Sequence, residues 1–147
     1  MNANGFSIKR GTNISHLFID ETLPWGNRDS YFNLRDIKCR KSFGFDHIRL
    51  PISEERMWSE NRKKIPEAFD RLQFIIRQSI ENGIRVILCM QEMRSHHFAT
   101  HFGNRDMTPL NTIAPLFKSG EEVAKFRDLW LDLSESFGDV SASSLAY

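Results

Sequence analysis

The sequence holds only two cysteines, Cys39 and Cys89. One falls in an expected helix and the other in an expected strand, which argues against a disulfide-stapled scaffold and makes buried free thiols the default reading. An excess of charge of one sign is also missing. Twenty basic and 19 acidic side chains leave a formal net charge of +1, so neither a nucleic acid nor a membrane is expected as partner. The densest basic stretch, Arg35, Lys38, Arg40 and Lys41, follows a helical pattern and reads as a solvated face. No apolar run approaches the roughly 20 residues of a membrane-spanning helix. The opening residues MNANG lack the charged and apolar segments of a secretory leader, and the compartment stays open. Internal repeats and low-complexity stretches are absent.

What is present is a rhythm of strands and helices. At 40% apolar and 27% charged residues, the chain has the composition and length of one domain with a sizeable core. A first strand is expected within GFSIKRGTNIS, followed by a loop carrying Pro24 and Gly26. Asp29 or Ser30 then caps a helix over residues 31–43, and Gly44 takes the left-handed position after it. FDHIRLPI forms a second strand that Pro51 stops at Leu50. After the charged loop SEERMWSENRKK, Pro66 opens a second helix whose apolar stripe is Phe69, Leu72, Ile76 and Ile80, widened by Phe74 and Ile75. Asn82-Gly83 ends it. IRVILCM is a nearly continuous apolar run, as in a strand buried on both faces of a parallel sheet. A long loop over residues 91–118 follows. Ser119 and Glu122 then form a capping box for a third helix with Val123, Phe126, Trp130, Leu133 and Phe137 on one face. Leu145-Ala146-Tyr147 reads as the start of a fourth strand.

Strands alternating with helices imply right-handed crossovers and an α/β fold with a parallel sheet. A doubly wound sheet and a (β/α)8 barrel both fit that order. RGTNIS has a single glycine, so no phosphate loop follows the first strand. Long loops after the first three strands favour the barrel, whose site is built at the C-terminal strand ends. Those ends carry Asn13 and His16, then Arg49, then Gln91, Glu92, Arg94, His96 and His97. A lone arginine would as readily be structural, but polar groups at three successive strand ends converge on one rim, as a hydroxyl-rich ligand requires. His96, His97 and His101 lack a carboxylate at ligand spacing, so no metal and no cofactor is expected. Cys89 reads as buried and inert within its strand. Glu92 is the best acid-base carboxylate but has no visible partner.

GTNISHLF, SFGFDHIRLPIS, AFDRLQFIIRQSIENGIRVIL, MRSHHF and FRDLWLDLSESFGD, in that order, resemble the N-terminal half of family-five glycoside hydrolases, the cellulase and endoglucanase family. The resemblance covers almost the whole chain and is most specific at GFDHIRLP with GIRVIL at its proper distance. It implies an incomplete (β/α)8 TIM barrel of about three βα units plus the start of strand four. It also implies retaining hydrolysis of β-linked polysaccharides by two glutamates with carboxyls roughly 5 to 5.5 Å apart.

The family's acid lies in an Asn-Glu-Pro motif at the end of strand four and its nucleophile on strand seven. Neither position exists here, so residues 1–147 are expected to be the N-terminal part of a catalytic domain cut before the acid, and inactive alone. Carried over, Arg49 matches the arginine that hydrogen-bonds the nucleophile. Asn13 and His16 match the polar end of strand one near the sugar subsites, and His96 and His97 match a loop that meets sugar hydroxyls. Where the family commonly reads VILDLH, this chain reads VILCMQ, which puts Cys89 at the aspartate and Gln91 at the histidine. Trp25 and Trp58 suit either packing or sugar stacking, and Trp130 suits the core. The expected partner is a polysaccharide or oligosaccharide. Unpaired strand edges also predict self-association. A non-catalytic carbohydrate-binding half-barrel is the alternative, and a sugar isomerase the third reading.

Overall fold

The structure is a computed structural model, and it describes residues 5–94 and 119–147. Two compact units divide the chain, residues 1–91 with 140–147 and residues 92–139. The elements run β1 (Gly11–Asn13), a 3-10 turn (Trp25–Asn27), α1 (Arg28–Tyr31), α2 (Leu34–Ser42), β2 (His47–Ser53), α3 (Glu54–Met57), α4 (Pro66–Glu81), β3 (Arg85–Glu92), α5 (Gly120–Ser136) and β4 (Leu145–Ala146).

The four strands form one sheet in the order β1-β2-β3-β4. β1 pairs parallel with β2, Asn13 opposite Arg49, and β3 pairs parallel with β4, Val86 opposite Leu145. A doubly wound sheet reverses its strand order at a switch point, whereas a barrel sets each strand beside its successor. The observed order is that of a partial (β/α)8 barrel.

Alternation along the strands separates two faces. Ile48, Leu50 and Ile52 of β2 and Val86 and Leu88 of β3 are buried, together with Ile37 of α2 and Leu72, Ile75 and Ile76 of α4. Burying each large aliphatic side chain contributes about 1.5–3 kcal/mol. The opposite face, with His47, Arg49, Ile87, Cys89 and Gln91, is only half-buried.

Three local expectations are corrected. The first helix does not run from Tyr31. Residues 28–31 make a separate turn, Phe32 is extended and buried, and Asn33 restarts the helix. Asn33 and Asp36 make a full capping box: the Asn33 side chain accepts from Arg35 N at 2.8 Å, and the Asp36 carboxylate accepts from Asn33 N at 2.9 Å. Gly44 does hold the left-handed conformation after the helix, φ 77°.

Second, β2 continues through Pro51 to Ser53. Arg49 O accepts from Ile14 N at 3.0 Å and Ser53 N donates to Phe18 O at 3.2 Å, so the odd-numbered residues turn their backbone groups toward the β1 side. β1 has ended by the level of Pro51, where the missing N–H therefore leaves no ladder bond unmade.

Third, the apolar stripes keep Leu72, Ile75, Ile76, Leu133 and Phe137 buried as expected but lose other members. On α4 the buried line is Ala68, Leu72, Ile75, Ile76 and Ser79, while Phe74 is exposed. In the second unit, Ser119 Oγ accepts from Glu122 N at 3.4 Å as expected of a cap. There the buried residues are Leu129, Leu133 and Phe137, one helical turn apart, with Val123 exposed and Trp130 half-buried against the edge of Phe126 at 6.1 Å.

Candidate functional site at the strand ends

The parallel register places Asn13 beside Arg49, and alternation brings Cys89 and Gln91 to the same face of the neighbouring strand. The Arg49 guanidinium links all three strands. Its Nη1 donates to Asn13 Oδ1 at 3.0 Å, and its Nη2 donates to Gln91 Oε1 at 2.6 Å and to Cys89 Sγ at 2.8 Å. Asn13 Nδ2 in turn donates to Ser15 Oγ at 2.8 Å. The planar fork of arginine is therefore fixed from two sides.

Asn13 and Gln91 are neutral amides, and no carboxylate among the described residues bonds to Arg49. The guanidinium sits half-buried at the C-terminal end of the central strands, held by its three hydrogen bonds.

Asn13, Arg49 and Gln91 are thus brought together as the sequence suggests, and Cys89 joins them. The expectation that Cys89 is buried is corrected. It is half-buried and bonded to Arg49, and the signal that could have shown this is its two-residue spacing from Gln91. His16 is exposed on the loop after β1, its ring edge-on to Tyr31 at 6.3 Å, with no hydrogen bond to the Arg49 cluster. Trp58 is fully buried and packs edge-on to Phe69 at 5.3 Å, so of its two readings the ring carries packing. Trp25 is half-buried against Phe18, with the Arg28 guanidinium 3.9 Å from its ring centre. His96, His97 and His101 lie outside the described residues.

The other end of the sheet is built differently. Asp46 accepts from Lys9 N at 2.8 Å, from Arg10 N at 3.0 Å and from the His47 ring at 2.8 Å. An ionised carboxylate only accepts, so His47 Nδ1 is the donor. The His47 bond, followed by the two backbone bonds, holds the Asp46 carboxyl down at about 2. The His47 ring lies over Gly11, where an added Cβ would come within 2.1 Å of Nε2.

A consecutively ordered parallel sheet with a polar cluster at its C-terminal ends is the arrangement of part of a (β/α)8 barrel. More narrowly, the chain belongs to the cellulase family, glycosyl hydrolase family 5, whose family model matches residues 1–143. It is also similar to cellodextrinase A of Ruminococcus flavefaciens, 22% identical over 110 residues that make up 75% of this chain and 30% of that protein. The chain therefore spans under a third of that relative's length.

Proposed function

We propose that residues 1–147 supply the N-terminal part of a retaining β-glycan hydrolase of the cellulase type, with Arg49 holding the nucleophilic carboxylate of the completed barrel. The observation that carries this reading is the Arg49 guanidinium joining three strand ends, with no carboxylate among the described residues bonded to it. A cation so placed favours the ionised form of an incoming carboxyl and lowers its pKa, which keeps it ready to attack a sugar carbon. Asn13 and Gln91 orient the arginine and have amide groups left to meet sugar hydroxyls. Gln91 can donate and accept but cannot titrate, so it positions substrate without moving a proton. Cellodextrinase A, by its name, acts on cellodextrins, and a short β-glucan is the substrate class we assign here.

The sequence contains no Asn-Glu-Pro motif, so the 147 residues alone are expected to bind short β-glucans weakly and hydrolyse none. The test is release of nitrophenol from an aryl β-cellobioside by the purified chain, with cello-oligosaccharide binding followed in parallel by NMR line broadening. Turnover that Arg49→Ala abolishes would overturn the inactivity. Binding unchanged by Arg49→Ala and Gln91→Ala would overturn the site.

A further inference from the structure

Three arginines outside the Arg49 site gather from α1, α3 and α4. Arg28 is fully buried. Its Nη2 donates to the carbonyls of Asp20 at 2.9 Å and Leu23 at 2.7 Å, but Nε and Nη1 have no hydrogen-bond partner. Its guanidinium carbon lies 3.9 Å from the centre of the Trp25 ring, and that of Arg56 lies 5.3 Å from the same centre. Arg71 donates to Phe32 O at 2.5 Å and pairs with Asp29, and the Nε atoms of both Arg56 and Arg71 are again buried and unbonded.

Asp29 is paired with Arg71 and its side chain is 77% exposed, while Asp20 accepts from Thr22 N at 2.8 Å and Thr22 Oγ1 at 2.7 Å. Burial, together with repulsion from Arg56 and Arg71 against the attraction of Asp20, pulls the Arg28 guanidinium down to about 10. Stacking on Trp25 stabilises a cation by its ring face but makes no hydrogen bond to Nε or Nη1. Four buried N–H-bearing atoms on three cations call for an acceptor carrying negative charge.

We propose that Arg28, Arg56 and Arg71 form a binding site for a small oxyanion, a phosphate, sulfate or sugar carboxylate, beside Trp25. Several acceptor oxygens on one centre suit guanidinium donors, which bind such groups by charge-assisted hydrogen bonds. Arg56 and Arg71 are less deeply buried than Arg28. Nothing in this inference depends on hydrolysis at the Arg49 site.

The test titrates the 147-residue chain with sodium phosphate, and separately with sodium glucuronate, at constant ionic strength set with sodium chloride. Binding is read by calorimetry and by 31P line width for the phosphate arm. Saturable binding is expected for at least one anion, with glucose inert. Arg56→Gln should weaken it about tenfold, the worth of one charge-assisted hydrogen bond, whereas Arg35→Gln, at an exposed position on α2, should leave it unchanged. Saturation by phosphate alone identifies a free inorganic anion as the ligand; saturation by glucuronate identifies an acidic sugar. Non-saturable responses to both anions, or an affinity that Arg56→Gln and Arg71→Gln leave intact, would overturn the proposal. Both variants keep Arg28 in place, so a folding defect from losing that buried side chain does not enter.

Discussion

The two ends of the parallel sheet use the same kinds of residue to opposite effect. At the N-terminal end, a carboxylate is surrounded by donors: Asp46 takes two backbone N–H groups and the His47 ring, and that ring fills the space above Gly11. At the C-terminal end, a guanidinium is surrounded by amides and a sulfur, with no described carboxylate bonded to it. The first arrangement consumes its charge internally and stabilises the sheet. The second spends its hydrogen bonds on orientation and keeps its charge for something else. Barrels divide stability and chemistry between their two ends in this way, and here the division rests on which partners a charged group meets.

The largest effect expected comes from a residue that blurs this division. Trp58 follows β2 on the rim side yet is fully buried. Trp58→Ala should destabilise the fold by about 3–5 kcal/mol, measured by urea unfolding. A loss below 1 kcal/mol, with weakened oligosaccharide binding, would make it a rim residue after all. Gly11→Ala comes next. Its Cβ would enter the His47 ring, at a cost of about 1–3 kcal/mol for an overpacked site. The double variant Gly11→Ala with His47→Ala should be less destabilised than the sum of the two single changes, and strict additivity would show that the ring is not what excludes the side chain.

Asp46 gives the pH dependence. Its folded-state pKa lies at about 2, below the ordinary value of 3.8, first because of the His47 bond. Its stabilisation is therefore fully present above the unfolded value and is lost as pH falls from near 4 toward 2. Stability measured across that window should decline less steeply in Asp46→Asn than in the original chain. Parallel curves would place the acid sensitivity elsewhere.

Much of this was legible from residue order. The alternation of strands and helices, the Gly44 turn, the Pro66 start and the Ser119 cap are local chemistry, written in adjacent residues. The convergence of Asn13, Arg49 and Gln91 followed from counting strand ends. The failures have a common cause. Pro51 is tolerated because β1 has already ended at that level, and Trp58 is covered by Phe69, which lies eleven positions away. The helix stripes turn toward whichever face is covered. Each depends on what tertiary structure sets beside a residue, and propensity carries no record of that. The arginines that gather behind the rim were invisible for the same reason: Arg28, Arg56 and Arg71 are far apart in sequence and none sits in a basic run.

The smallest effect tests how Arg49 is held. Nη2 has two acceptors, Gln91 Oε1 at 2.6 Å and Cys89 Sγ at 2.8 Å. Cys89→Ser keeps an acceptor at that place, and Cys89→Ala removes it. Because Gln91 remains, stability should change by no more than about 1 kcal/mol in either variant. Oligosaccharide affinity should separate them, with serine near the original and alanine a few-fold weaker, since only alanine leaves Nη2 with a single acceptor. If both variants bind alike, the sulfur is a bystander and Gln91 with Asn13 suffices to aim the charge. If both lose binding together with stability, Cys89 belongs to the core, and the division between the two ends of the sheet is less clean than the hydrogen bonds around Arg49 imply.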